Sequence, residues 1–199
     1  MSLKSWFYKR RLKDKRFEFI FENEKIDEYV AIDTETTGLD PKKDEILSIG
    51  AILIKDNKIL VGNSLYIKIK PKKSVTESSI VIHKIRECDL NEAIEPRDGI
   101  ERLLYFIKNR PLVGYYLDFD IKILNRYINN FFGFKLPNKK IEVSGLYYDY
   151  KQKFIPQGYI DLKFDTILKE LNLPKLKAHN AFYDALMSAM IFLKLKNIN

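Results

Sequence analysis

The chain has 199 residues, 46% hydrophobic and 31% charged, which is ordinary for a globular protein and long enough for one good core. No apolar run approaches the ~20 residues needed to cross a bilayer. The single cysteine, Cys88, excludes an internal disulfide and suits a reducing, cytoplasmic setting.

The net charge of +8 is unevenly placed. Residues 1–16 hold Lys4, Lys9, Arg10, Arg11, Lys13, Lys15 and Arg16 against Asp14, or +6, leaving +2 for the rest. With Trp6, Phe7 and Tyr8, this makes a basic, aromatic N-terminal arm. Such an arm can bind nucleic acid or a membrane surface, or simply pack its apolar groups on the body. Phe17 to Phe21 is apolar enough to dock, and the acidic run Glu22 to Glu28 reads as a linker. Residues 1–27 are therefore expected to form an arm and linker, and residues 28–197 the folded unit.

Tyr29 to Ile32 reads as a buried strand that ends in Asp33-Thr34-Glu35-Thr36-Thr37-Gly38. Asp40 to Asp44 is a turn by composition. Glu45 to Lys55 and Lys58 to Lys70 follow as strands joined by a tight Asp56-Asn57 turn, giving an antiparallel three-strand meander. Ser74 to Ile85 reads as short helical turns, with Thr76 or Ser78 as caps. Arg97 to Asn109 is an amphipathic helix, Pro111 to Tyr115 a brief strand and Phe119 to Phe132 another helix. Ile141 to Ser144 makes a fifth strand, and Leu162 to Leu171 and Ala181 to Lys196 close the chain as helices. The plan is α/β, a five-stranded mixed sheet flanked by helices.

Three stretches carry acids where chemistry could use them. Residues i and i+2 of a strand share a face, so Asp33 and Glu35 project together and Thr34 points away. Adjacent carboxylates repel, which a hard divalent cation relieves. Asp118 and Asp120 stand at a helix start, where capping alone would explain either. Asp184 lies within the small, apolar run of the last helix, where a carboxylate is costly unless paired or bound to metal. His179, one of two histidines, precedes it by five residues.

The order and separation of Asp33-Thr34-Glu35-Thr36-Thr37-Gly38, of Val113-Gly114 followed by Phe119-Asp120, and of His179 with Asp184 resemble the three motifs of the DEDDh 3′–5′ exonucleases. That family includes the proofreading epsilon subunit of bacterial DNA polymerase III and ribonuclease T. The resemblance covers roughly Glu28 to Leu195. It implies a ribonuclease H-like fold and a two-metal phosphodiesterase using Mg²⁺ or Mn²⁺. Asp33 would touch both ions, Glu35 and Asp184 would bind the ion holding the attacking water, and Asp120 would complete the set. His179 would take the water's proton. Thr36 and Gly38 would shape the turn that receives the terminal nucleotide, Gly38 through a positive φ.

The chain departs from the family at Tyr115-Tyr116, where His-Asn is common, and these tyrosines could stack on bases or pack in the core. Asn180 stands where a basic residue is common and could cap the last helix. The expected partner is single-stranded or frayed nucleic acid, with DNA favoured over RNA. An RNA-trimming enzyme and a silent nucleic-acid-binding module are the alternatives. The chain stops at Asn199 without a convincing clamp-binding peptide, so a polymerase partner is not supported by a C-terminal tail.

Overall fold

The structure, a computed structural model, describes residues 9, 12–22, 27–72, 87–90, 92–155, 158–177 and 179–198. The aromatic residues of the arm and the helical turns expected over 74–85 lie outside that set.

Strand β1 (Glu28–Thr36) is the middle of a five-stranded sheet. Val30, Ala31 and Ile32 are fully buried, as a strand covered on both faces requires. β2 (Ile46–Lys55), buried along its whole length except Lys55, pairs antiparallel with β1. A two-residue turn then leads to β3 (Lys58–Lys68), antiparallel to β2. In that turn Asp56 and Asn57 have φ of 50° and 56°, the left-handed pair that matches the twist of a hairpin. β4 (Leu112–Gly114) and β5 (Lys140–Glu142) add parallel strands on the other side of β1. The order is β3-β2-β1-β4-β5, a mixed sheet with the expected meander and two shorter strands.

Among the described residues, five α-helices flank it: α1 (Pro96–Ile107), α2 (Leu117–Phe132), α3 (Val143–Gln152), α4 (Phe164–Glu170) and α5 (Ala181–Ile198). Alternation along β1 sorts them into two layers. Val30 and Ile32 pack with α1 and α2, and Ala31 packs with α3, α4 and α5. Phe17, Ile20 and Phe21, from a 3-10 helix over Lys15–Phe21, enter the first layer and are at most 3% exposed. Each such burial contributes roughly 1.5–3 kcal/mol, so the expected docking of this segment is substantial. Arg16 ties the same segment to α1 through Glu101 at 2.7 Å.

The structure differs from the sequence reading after β5. Val143 and Ser144, expected in the strand, begin helix α3. Glu142 forces the change of direction: its carboxylate accepts from the Ser144 N–H at 3.2 Å and hydroxyl at 2.8 Å. The same carboxylate accepts from the Leu117 N–H at 2.9 Å and the Tyr116 N–H at 3.3 Å, so one acid caps α3 and α2 together.

Candidate metal centre

Asp33 and Glu35 leave β1 on the side covered by α5, and Asp184 projects from the start of α5. Carboxylate oxygens of the three lie within 4.8 Å of one another. Two features of the sheet make that approach available. Gly50 of β2 sits opposite Asp33, and Tyr66 of β3 sits opposite Gly50, forming a row across three strands. A Cβ at Gly50 would stand 2.1 Å from the Ala181 carbonyl oxygen and 2.5 Å from the Phe182 nitrogen. Only glycine lets the first turn of α5 descend onto the sheet here. Tyr66 then holds that turn from the side, its hydroxyl 3.4 Å from the Asn180 side-chain nitrogen.

Asn180 caps α5, its side-chain oxygen accepting from the N–H groups of Phe182 and Tyr183 at 3.1 and 3.3 Å. The Asp184 carboxylate reaches back to accept from the N–H groups of His179 and Asn180, at 3.1 and 3.3 Å. His179 is exposed and holds a left-handed φ of 60°, a conformation sparsely used outside glycine. Its backbone is thus fixed by the same carboxylate that joins the acidic cluster.

Asp120 takes a different position from the other three acids. It is 4% exposed on α2, and Thr34 donates to one carboxylate oxygen through both its N–H (3.0 Å) and its hydroxyl (2.6 Å). Thr34, which points away from Asp33 and Glu35, is therefore the residue that orients the fourth acid. Asp118, the neighbouring acid, lies on the surface in an ion pair with Lys140.

The electrostatics are those of a crowded anionic site. Burial, then the charges of Asp120, Asp184 and Glu35, raise the Asp33 carboxyl well above its ordinary range. Burial, with Asp184 and Asp120, pushes Glu35 up to about 8. Burial also pushes Asp120 up to about 7, against the pull of the two Thr34 hydrogen bonds. Asp184 is raised by burial, opposed by the N–H groups that it accepts from. Four acids that resist ionisation together are an oxygen-donor set that a hard divalent cation would bring to full charge.

The remaining sequence candidates fall around this cluster. The Thr36 hydroxyl donates to the Gly38 carbonyl at 2.6 Å, closing the turn after β1. Gly38 does not have the positive φ expected of it; Gly133 is the glycine that does. At 38 a Cβ would lie 2.6 Å from the Asp44 carboxylate, which would have to shift to admit it. Tyr115 packs on Phe164 at 4.7 Å between ring centres, and its hydroxyl donates to the Leu162 carbonyl at 3.1 Å. Tyr116 is 72% exposed, with a left-handed φ of 52° at the start of α2. Thr34, Gly50, Tyr66 and Glu142 were not legible as site residues. Their roles arise from cross-strand register and from contacts 25 or more residues apart, which no local pattern carries.

With this geometry in place, residues 30–192 match the exonuclease family model. The chain is 29% identical over 166 residues to the PolC-type DNA polymerase III of Thermotoga petrophila, covering 83% of this chain and 12% of that protein. It is 26% identical over 175 residues to the DNA polymerase III subunit epsilon of Aquifex aeolicus, covering 84% of this chain and 79% of the relative. Thus the chain spans about an eighth of the PolC-type relative and most of the epsilon relative. Among solved structures, exonuclease X in complex with 5′ overhanging duplex DNA superimposes with a TM-score of 0.66 at 22% identity, covering 86% of this chain and 92% of that one. That likeness establishes the ribonuclease H-like fold.

Proposed function

We propose that this chain, which belongs to the exonuclease family, hydrolyses phosphodiester bonds at 3′ ends, one nucleotide at a time, with residues 28–197 as the exonuclease unit. The observation that carries the reading is the meeting of Asp33, Glu35 and Asp184 within 4.8 Å, from two elements 150 residues apart. Membership of the family supports the reaction class. DNA is the favoured substrate because the relatives are DNA polymerase components, and a protein of the same fold holds duplex DNA.

The donor set fits divalent metal. It is all oxygen, it is partly buried, and its acids are raised chiefly by burial, with mutual repulsion adding at Asp33 and Glu35. Asp33, Glu35 and Asp184 would hold Mg²⁺ or Mn²⁺, with Asp120 completing a site for two ions. When bound, such a pair supplies an activated water, charge neutralisation at the phosphoryl oxygens and stabilisation of the leaving 3′ oxygen. The protein's own work is proton handling and placement. His179, exposed beside the cluster, takes a proton from the attacking water. Its backbone bond to Asp184 couples the base to the acid set. Thr36 and Gly38 keep the turn after β1 close and narrow, so that the terminal nucleotide meets backbone rather than side chain. Tyr116, exposed at the start of α2, offers a ring for base stacking, and Tyr115 supports it edge-on at 4.7 Å.

The test is the shortening of matched 5′-labelled single strands of DNA and RNA in Mg²⁺. A ladder receding from the 3′ end of DNA, with RNA slower, is the expected result. Preference for RNA would move the assignment to RNA trimming. Tight binding without cleavage of either strand would leave a binding module and end the proposal.

A further inference from the structure

We propose that the groove between the β1–β2 loop and α2 binds backbone phosphates of the strand being degraded, upstream of its 3′ end; this rests on the nuclease reading above. The groove is a cavity of about 430 Å³ whose walls include Lys42, Lys122, Arg126 and Lys135, together with the amides of Asn129 and Asn130. Among the described residues, no acidic one lines it. None of the four cations has an ion-pair partner among the described residues, unlike Lys43 and Lys140 nearby in sequence.

The local chemistry explains how a positive groove persists beside an acidic centre. The loop contains Asp40 and Asp44, but both carboxylates are engaged within the loop. Asp44 accepts from the Asp40 N–H at 2.7 Å and the Thr37 hydroxyl at 3.2 Å. Asp40 accepts from the Lys42 N–H at 2.9 Å and faces Lys43 at 3.6 Å. Arg126 donates to the Asp44 carbonyl and so joins the two walls. On α2, Ile121, Leu124 and Ile128 face the core, while Lys122, Arg126, Asn129 and Asn130, at spacings of three, four and eight, share the solvent face.

Both walls belong to elements that also serve the metal centre. The loop leaves β1 directly after Glu35 and Thr36, and α2 carries Asp120 on its buried side and the basic residues on its solvent side. From Lys122 to Asn130 the helix runs ~12 Å at ~1.5 Å per residue. That is room for more than one phosphate, given one charge per ~3.4 Å along a duplex strand. A strand whose 3′ end is at the acids must leave the site, and this groove is a cationic path on the same loop and helix.

The experiment compares Lys42→Gln/Lys122→Gln/Lys135→Gln with a control triple, Lys58→Gln/Lys169→Gln/Lys194→Gln, which removes equal charge from exposed lysines elsewhere. Binding of a 5′-fluorescent single strand is followed by anisotropy in Ca²⁺ across a salt series. The groove triple should bind at least tenfold more weakly at low salt, and the slope of log affinity against log salt should fall by roughly 2, at ~0.7 per lost phosphate contact. The control should keep the wild-type slope. Equal losses in both triples, or none in the groove triple, overturn the proposal. Hydrolysis of the p-nitrophenyl ester of thymidine 5′-monophosphate, which reaches only the metal centre, is measured in parallel. Both triples should match wild type, and a groove triple defective on this ester also overturns the proposal. Should wild type leave the ester and every strand uncut while the slope difference stands, the nuclease reading fails and the groove survives.

Discussion

Gly50→Ala is the perturbation that the geometry defines most sharply, because one methyl group is set against backbone rather than against a side chain that can turn away. The new Cβ would lie 2.1 Å from the Ala181 carbonyl oxygen, 2.3 Å from its carbon and 2.5 Å from the Phe182 nitrogen. Non-bonded carbon contacts settle near ~3.5 Å, so the start of α5 must retreat from the sheet by more than ~1 Å. Asp184 travels with it, out of the cluster that now spans 4.8 Å. A displacement of ~1 Å at a catalytic group lowers turnover roughly 10²-fold, and overpacking a tight contact costs about 1–3 kcal/mol of stability. The assay is kcat on a 5′-labelled single strand, with Mn²⁺ affinity by calorimetry and the melting temperature measured alongside. The variant should stay folded, melt a few degrees lower, bind Mn²⁺ more weakly and turn over about 10²-fold more slowly. Wild-type kcat and Mn²⁺ affinity in Gly50→Ala would refute the idea that this contact positions Asp184.

Other expectations address the remaining parts of the site. Thr34→Val removes the 2.6 Å hydroxyl bond to Asp120; since that bond favours the charged carboxylate, the acid limb of the rate profile should move to higher pH, with about 1 kcal/mol of stability lost. An unmoved limb would mean that Thr34 does not orient the acid. In EDTA, stability should fall as pH rises from the ordinary carboxylate range to about 8. Glu35 and Asp120 are raised to about 8 and about 7 in the folded chain, above their ordinary 4.5 and 3.8. The folded state therefore binds more protons in that window, and saturating Mg²⁺ should flatten the slope. A melting temperature that climbs from pH 5 to 8 in EDTA would contradict the crowding of these acids. His179→Ala should keep Mn²⁺ affinity and lose roughly 10²–10⁴-fold in turnover; loss of metal binding instead would assign the residue a structural part.

Much of this architecture was readable in the chain. The apolar run into Asp33-Thr34-Glu35, the Asp56-Asn57 hairpin and the spacing of α1 and α2 are local patterns, and each maps onto the observed element within a few residues. Helix α3 was not readable. Its segment, VSGLYYDYKQ, is rich in aromatic residues with a glycine at its third position, and its start is set by the Glu142 cap and its packing by Val143 and Tyr147. The acids were visible as types and spacings, but their division into three convergent carboxylates and one held by Thr34 depends on the register of β1 against its neighbours. Gly38 shows the same limit: a glycine at a turn invites a backbone explanation, whereas its φ is not positive and its near neighbour is the Asp44 carboxylate.

The central claim is that phosphodiester hydrolysis depends on metal held by Asp33 and its partners. It is tested most directly by the rate of 3′-end shortening of a 5′-labelled single DNA strand as Mn²⁺ is titrated, in wild type and Asp33→Ala. Wild type should be silent in EDTA and rise saturably with Mn²⁺, and Asp33→Ala should stay at background throughout. Shortening by wild type in EDTA, or by Asp33→Ala at the wild-type rate, would contradict the account.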